Sequence, residues 1–482
     1  MITIPFVSPF AFGLRMALPA LALGAMTLTG ACGSRPFQAP DPNPEGQVDS
    51  YYPVTQVRDL DILFMIDNSG SMKEEQDNLR ENFPALIKVL ETIPGGLPNI
   101  HLAVVSSNMG DGSHPGGICG TTRGDNGMFR APDTCGLNAG EKFIKASNSG
   151  TQTNFSGPIQ NVFRCMGALG ISGCGYEHQL EAVRVALTPN LQDLNRGFLR
   201  ENAFLAIVLI TDEDDCSAPP DSLLFTDKAY DGVETSLRCN IAGHRCDGMT
   251  PPKTAYQTKL SSCEPATDGA LIPVSDFVRD IKALKANPNR IIVSAITGLP
   301  PSGEDSYSFA MQRQDRGPDQ LGVNPVCQSS GGKAYPAIRL KKFIEGFGDN
   351  GSIDSICSND FRPALENIGR LIALRLNTGC LGDRILDTDP AMPGVQPECT
   401  VVDREPVEGK PGAFVDKAIP RCGAGVAMPC WNLQAPGQEG NTCGGTQLRV
   451  NVERAGVMPK LETQQSVKCR ACAKADDQRC LP

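Results

Sequence analysis

The segment Asp67-Asn68-Ser69-Gly70-Ser71 has the residue types that hold a hard divalent cation. Mg2+ takes about six oxygen ligands in near-octahedral array. A carboxylate followed by two hydroxyls at a spacing of two residues points three oxygens into one turn. A second carboxylate, Asp212, closes the apolar run Phe204 to Thr211. Together these residues predict four oxygen ligands, from Asp67, Ser69, Ser71 and Asp212, at one rim of a sheet.

The flanking elements must place that rim. Asp59 to Asp67 is a short apolar run ending in a carboxylate, and Met72 to Glu91 carries helical periodicity (Leu79, Phe83, Leu86, Ile87, Leu90). This predicts strand, tight turn and helix, with the free N–H groups of the helix start aimed at the turn. Further strands are expected at His101 to Ser106, Lys142 to Ala146, Phe204 to Thr211 and Arg290 to Thr297. Further helices are expected at Glu177 to Leu187, Ser275 to Lys285, Tyr335 to Phe347 and Phe361 to Leu374. Nearly all-apolar strands alternating with helices predict an α/β fold, a doubly wound, mostly parallel sheet covered on both faces. Such sheets bind ligands at the carboxyl ends of strands where the strand order reverses.

These motifs resemble the metal-ion-dependent adhesion site of the von Willebrand factor A domain. The family pattern Asp-x-Ser-x-Ser is matched by Asp67, Ser69 and Ser71, and its later Thr-Asp-Gly by Thr211-Asp212, with Glu213 in place of Gly. The resemblance covers roughly residues 57 to 375. It implies a Rossmann-type doubly wound fold, a bound Mg2+ (or Ca2+ or Mn2+), and a protein partner whose acidic side chain completes the coordination. The family also supplies a Thr from the loop before the helix near Glu177. Here that loop reads Gly170-Ile171-Ser172-Gly173-Cys174-Gly175-Tyr176-Glu177 and has none. Glu177 is expected to take that place, with Ser172 as the substitute, and Glu177 as a helix-start acid is the alternative. An added carboxylate should tighten cation binding and make the ion less attractive to an acidic ligand.

The remainder of the chain bounds the setting. Of 482 residues, the first 31 form an apolar run after Arg15 that ends in small residues before Cys32, as in a secretory signal. Leu28-Thr29-Gly30-Ala31-Cys32 resembles a bacterial lipobox shifted by one residue, so Cys32 is expected to be lipidated; ordinary cleavage beside an incidental Cys is the alternative. Residues 32–56 read as a Pro-rich tether. The rest divides into 57–378 and a Cys-rich β domain at 379–482. Removing Cys32 from the 19 cysteines leaves 18, with 10 between Cys119 and Cys357 and 8 from Cys380 on. Nine disulfides are expected in an oxidising compartment, the outer membrane or envelope of a Gram-negative cell, with the lipid anchor as the only membrane contact. A net charge of −10 disfavours nucleic acid as a partner.

Enzymatic motifs are weak. Ser69 stands where a haloacid dehalogenase-type phosphotransferase needs an acid, and Gly170 to Cys174 fails the last position of a Gly-x-Ser-x-Gly elbow. None of the four His falls in a triad or HExxH pattern, although His178 lies beside Glu177. The expected function is therefore binding, with a structural envelope protein carrying a closed, stabilising metal site as the alternative and a hydrolase after that. Glu213, Asp214 and Asp215 are expected to form a solvated acidic loop, with a second cation as the alternative. Arg123-Gly124-Asp125 reads as a chance tripeptide, and Asp349-Asn350-Gly351 lacks the spaced acids of a calcium loop.

Overall fold

The computed structural model describes residues 58–470, except 94–95, 113–118, 121–122, 189–194, 227, 254–257, 315–316, 331, 377–378, 382–384, 390, 393, 408–412, 437, 439–440, 442–447 and 456–462. The signal, Cys32, the tether, Cys443, Cys472 and Cys480 lie outside the described residues.

The central sheet has seven strands: β1 (Asp59–Ile66), β2 (Asn99–Ser106), β3 (Ile144–Ser147), β4 (Gln152–Thr153), β5 (Phe204–Ile210), β6 (Ile291–Thr297) and β7 (Gly351–Ser355). Their spatial order is β7-β6-β5-β1-β2-β3-β4. The first five in that order are parallel, and β3 and β4 add antiparallel pairs at the edge. The chain leaves β1 for β2 on one side and later returns to β5 on the other. The strand order thus reverses beside β1, which opens a crevice between the carboxyl ends of β1 and β5. Ile66 pairs with Ile210, so Asp67 and Thr211-Asp212 leave the sheet side by side.

Near-continuous apolar strands suit a sheet buried on both faces. Leu60, Ile62, Phe64 and Ile66 of β1 pack with one helical layer, α1 (Lys73–Glu91), α2 (Ile159–Met166) and α7 (Arg362–Leu376). There Phe83 stacks on Phe163 at 3.7 Å between centroids, and Phe64 tilts against Phe163 at 4.8 Å. Leu63 and Met65 face the other layer, α3 (Gln179–Leu187), α5 (Val274–Lys282) and α6 (Ile338–Glu345). The buried charge of β1, Asp61, accepts hydrogen bonds from the Arg200 backbone N–H and Nε, both at 2.8 Å. It anchors the amino end of the sheet, away from the crevice.

Long, Gly- and Cys-rich segments emerge from the carboxyl ends of β2, β5 and β6. They form a third cluster with Tyr176, Phe225, Leu237, Tyr307 and Phe309 at its centre, and it contains α4 (Thr235–Gly243). Long inserts with small cores gain from crosslinks. All ten cysteines from Cys119 to Cys357 pair among themselves: Cys119–Cys174, Cys135–Cys165, Cys216–Cys239, Cys246–Cys263 and Cys327–Cys357. The residues after 379 form two three-stranded antiparallel sheets around Val401, Ile419, Trp431 and Val450, with Cys399–Cys469 and Cys422–Cys430 bridged. Asn287 and Asn289, just before β6, donate to the Asn441 carbonyl at 2.8 and 3.0 Å. That contact lies at the amino end of the sheet, opposite the crevice.

Several elements differ from the sequence expectation. α2, α4 and β7 are short elements that the sequence reading did not assign; α2 nevertheless carries a clear helical stripe in Ile159, Val162, Phe163 and Met166. α3 begins at Gln179, not Glu177, because the Glu177 backbone is spent in a bridge to Asn108. α6 begins at Ile338 because the Tyr335 N–H is used by the Asp212 carbonyl (2.8 Å) and Pro336 follows.

Candidate metal centre

The Asp67 carboxylate is the best satisfied group of the crevice. Its Oδ1 accepts from the Ser69 N–H (2.8 Å) and the Ser107 hydroxyl (3.0 Å), and its Oδ2 from the Thr211 hydroxyl (2.6 Å). Thr211 in turn accepts from Gln179 Nε2 at 2.9 Å. Strand ends β1, β2 and β5 and helix α3 therefore fix one carboxylate in place. Gln76 of α1 spans the Asp67 and Gly170 carbonyls (2.8 and 2.9 Å), which ties the loop before α3 to the DNSGS turn. That loop comes so close that a Cβ at Gly173 would lie 2.3 Å from the Asn68 Oδ1 and 2.6 Å from its carbonyl oxygen. Only glycine fits there.

The Ser69 and Ser71 hydroxyl oxygens stand 3.3 Å apart. Adjacent oxygens around one Mg2+ or Ca2+ are about 2.8–3.4 Å apart, given metal–oxygen distances of ~2.0–2.4 Å. Ser69 is buried and Ser71 is exposed, so the turn has an inner and an outer hydroxyl. Asp212 and Glu177 are buried beside them, at 0% and 1% exposure, yet both Asp212 oxygens and Glu177 Oε2 make no hydrogen bond. Glu75 Oε2, from the first turn of α1, is in the same condition. Buried carboxylate oxygens without partners are costly unless a cation neutralises them.

The electrostatics agree. Burial, then the Glu213 and Asp67 charges, raises Glu177 and Asp212 well above the usual carboxylate range; only the Ser71 hydroxyl pulls Asp212 back. Burial raises Glu75 to about 7, and Glu213 to about 8 despite its hydrogen bond with Glu177. In chelator, the folded protein thus holds protons that the unfolded chain releases by about pH 5. Stability of the metal-free protein should fall as pH rises from about 5 through 8, because the native state binds more protons. With saturating divalent cation the ligands are deprotonated at once, and that slope should flatten. Urea titrations at pH 5 to 8, with EDTA or with Mg2+, measure both slopes; identical slopes would contradict the site.

The structure brings Asp67, Ser69, Ser71, Asp212 and Glu177 together, whereas Ser172 is exposed on the loop. Glu177 precedes its helix, so it does not serve as a first-turn acid. Ser107, Glu75 and Gln76 were not singled out in the sequence: Ser107 ends a strand with no flanking motif, and the other two look like ordinary residues at a helix start. Glu213 belongs to the crevice, but the acidic run is not a solvated loop. Asp214 accepts from the Arg339 and Leu340 N–H groups at the start of α6, and from His244 Nε2 at 2.7 Å. Asp215 accepts from the Leu180 N–H at the start of α3 and from the Arg339 guanidinium, both at 2.9 Å. Two neighbouring acids thus satisfy two helix starts, and a second cation there has no free oxygens to bind.

Other signals resolve structurally. His178 is buried, stacks on Phe225 and is pushed down by burial to about 4, so it stays neutral. Asp125 of the Arg-Gly-Asp tripeptide holds Ser106 (2.6 Å) and Arg130 (2.9 Å). Asn350 braces the Asn289 and Ile291 carbonyls, with no calcium loop. Cys239 and Cys246 are bonded to Cys216 and Cys263, and Cys469 pairs with Cys399. Among the described residues, one His/Cys/Asp/Glu group, Cys422, Cys430 and Glu453, brings three ligand atoms within 4.8 Å of one another, and its two sulfurs are bonded to each other. Among the described residues, no three of the crevice carboxylates meet that spacing. Compared with family models and with curated proteins, the chain matches none.

Proposed function

We propose that this chain is an exported, lipid-anchored envelope protein whose α/β part is a von Willebrand factor A-type module that binds one divalent cation, Mg2+ foremost, and recruits a protein partner. The observation that carries the reading is the set of unpartnered buried oxygens of Asp212 and Glu177 beside the paired hydroxyls of Ser69 and Ser71, at the point where strand order reverses. Asp67 and Ser107 position the hydroxyl turn, and Glu177 takes the place of the threonine of the resembling family. The bound ion supplies an electrophilic position toward which an oxygen of the partner can be drawn. The role is binding and not catalysis, since His178 is stacked and neutral, and His244 is committed to Asp214 and Tyr307. The Cys-rich β part touches the amino end of the sheet, away from the crevice.

Isothermal titration of Mg2+ and Mn2+ into the exported chain should give one site, weakened in Glu177→Ala. Immobilised protein incubated with envelope extract should retain a partner in Mg2+ and release it in EDTA. Cation binding without any chelator-sensitive partner would instead favour the second reading, a stabilising site fully satisfied by the protein. No cation binding by folded protein would refute both.

A further inference from the structure

We infer that the Cys422–Cys430 disulfide of the Cys-rich β part closes a latent site for a thiophilic cation, which two-electron reduction opens. The two sulfurs and one carboxylate oxygen of Glu453 all lie within 4.8 Å of one another. Strand register sets Glu453 there: Cys430 opens the strand Cys430–Gln434 and faces Glu453, the last residue of Leu448–Glu453. Asn432, two residues along from Cys430, donates to Glu453 Oε1 and holds the carboxylate. The Met428 thioether adds a third sulfur, 3.4 Å from Cys430 Sγ. Two thiolates, a carboxylate and a thioether form a soft donor set, suited to Zn2+ or Cu+ and unlike the all-oxygen crevice.

Backbone hydrogen bonds hold the frame independently of the disulfide. The Cys422 N–H donates to the Trp431 carbonyl at 2.8 Å, the Trp431 N–H donates to the Pro420 carbonyl at 2.9 Å, and Trp431 is buried in the core of the β part. Both ends of the loop are pinned, so the reduced sulfurs stay within reach of one ion. Between them, Gly423 to Pro429 are all exposed and carry no charge. Cys422 is half-buried and Cys430 is buried, which makes the Cys422 sulfur the point of attack. A small dithiol attacks there as a thiolate and releases the Cys430 thiolate; its second thiol then displaces Cys422 and the reagent leaves as a cyclic disulfide. Two electrons and two protons pass to the protein. The ion takes the two sulfurs as thiolates and releases those protons. The thiolate is the metal-binding form, so the ion binds only after reduction.

The test treats folded protein with increasing dithiothreitol, removes the reagent, and maps the opened cysteines by alkylation and mass spectrometry. The product is titrated with Zn2+ or Cu+ against a chromophoric chelator, with excess Mg2+ covering the crevice. Protein reduced at Cys422 and Cys430 should bind one ion, whereas oxidised protein and the double variant Cys422→Ser/Cys430→Ser should bind about 100-fold more weakly or not at all. Glu453→Gln should weaken Zn2+, or Met428→Leu should weaken Cu+, by about 10-fold, and the variant that responds identifies the ion. Opening of this bond only where the protein unfolds would overturn the inference. So would a reduced, folded protein that binds neither ion, equal binding by the double variant, or unchanged affinity for both ions in both single variants. None of these results touches the crevice reading.

Discussion

Asp212→Asn should weaken Mg2+ or Mn2+ binding by about 100-fold or more, and at the same time should stabilise the metal-free protein. A full charge about 4 Å from another at an effective dielectric near 20 is worth about 4 kcal/mol, and the ion is divalent, so a 100-fold loss (~2.7 kcal/mol) is a modest expectation. The opposite effect without metal follows from the missing hydrogen bonds. Both Asp212 oxygens are buried without partners and face Glu213 and Asp67. Replacing the carboxylate by an amide of the same shape relieves that repulsion, by roughly 1–3 kcal/mol. Thermal denaturation should therefore show the variant melting above wild type in EDTA and below it in saturating Mg2+. A general folding defect would lower both values, so the crossing separates a ligand from a packing residue.

Arg339→Ala should cost about 3–5 kcal/mol of stability, the range for removing one partner of a buried ion pair. Arg339 has no exposed surface. Its guanidinium donates to Asp215 Oδ2 at 2.9 and 3.1 Å and to the Ile272 carbonyl at 2.7 Å, while its backbone N–H donates to Asp214. Asp215 would keep the Leu180 N–H and the Ser217 hydroxyl, but its charge would be buried without a counter-ion. The same substitution loosens the segment that carries Asp212 and Glu213 into the crevice. Cation affinity should fall too, by less than in Asp212→Asn. Urea denaturation should show a lower midpoint with an unchanged slope. A double variant with Asp215→Asn should recover much of the loss, and additive losses would contradict the pairing.

The parallel sheet was legible because its strands are continuous apolar runs of strand length, and because α1 carries an unbroken helical stripe from Leu79 to Leu90. The approach of the DNSGS turn to Asp212 was legible because Asp67, Ser69 and Ser71 lie within five residues and Asp212 ends a strand. What could not be read was how the loops fold back. Nothing local distinguishes Glu213, which enters the crevice, from Asp214 and Asp215, which turn away to two helix starts; Arg339 and His244, far along the chain, make the difference. Ser107 has a role only because β2 lies beside β1. Cysteine number implied crosslinks, but their pairing required the three-dimensional course of the inserts. Elements as short as α2, α4 and β7 depend on tertiary packing, and α2 and α4 are also held by the Cys135–Cys165 and Cys216–Cys239 disulfides.

The most direct test of the central claim is anomalous diffraction from a crystal of the protein soaked in Mn2+. One strong peak is predicted in the crevice between β1 and β5, within about 2.0–2.6 Å of the Ser69 and Ser71 hydroxyls and bordered by Asp67, Asp212 and Glu177. An ordered crevice with no peak at saturating Mn2+, or a peak held by other residues alone, would contradict the account.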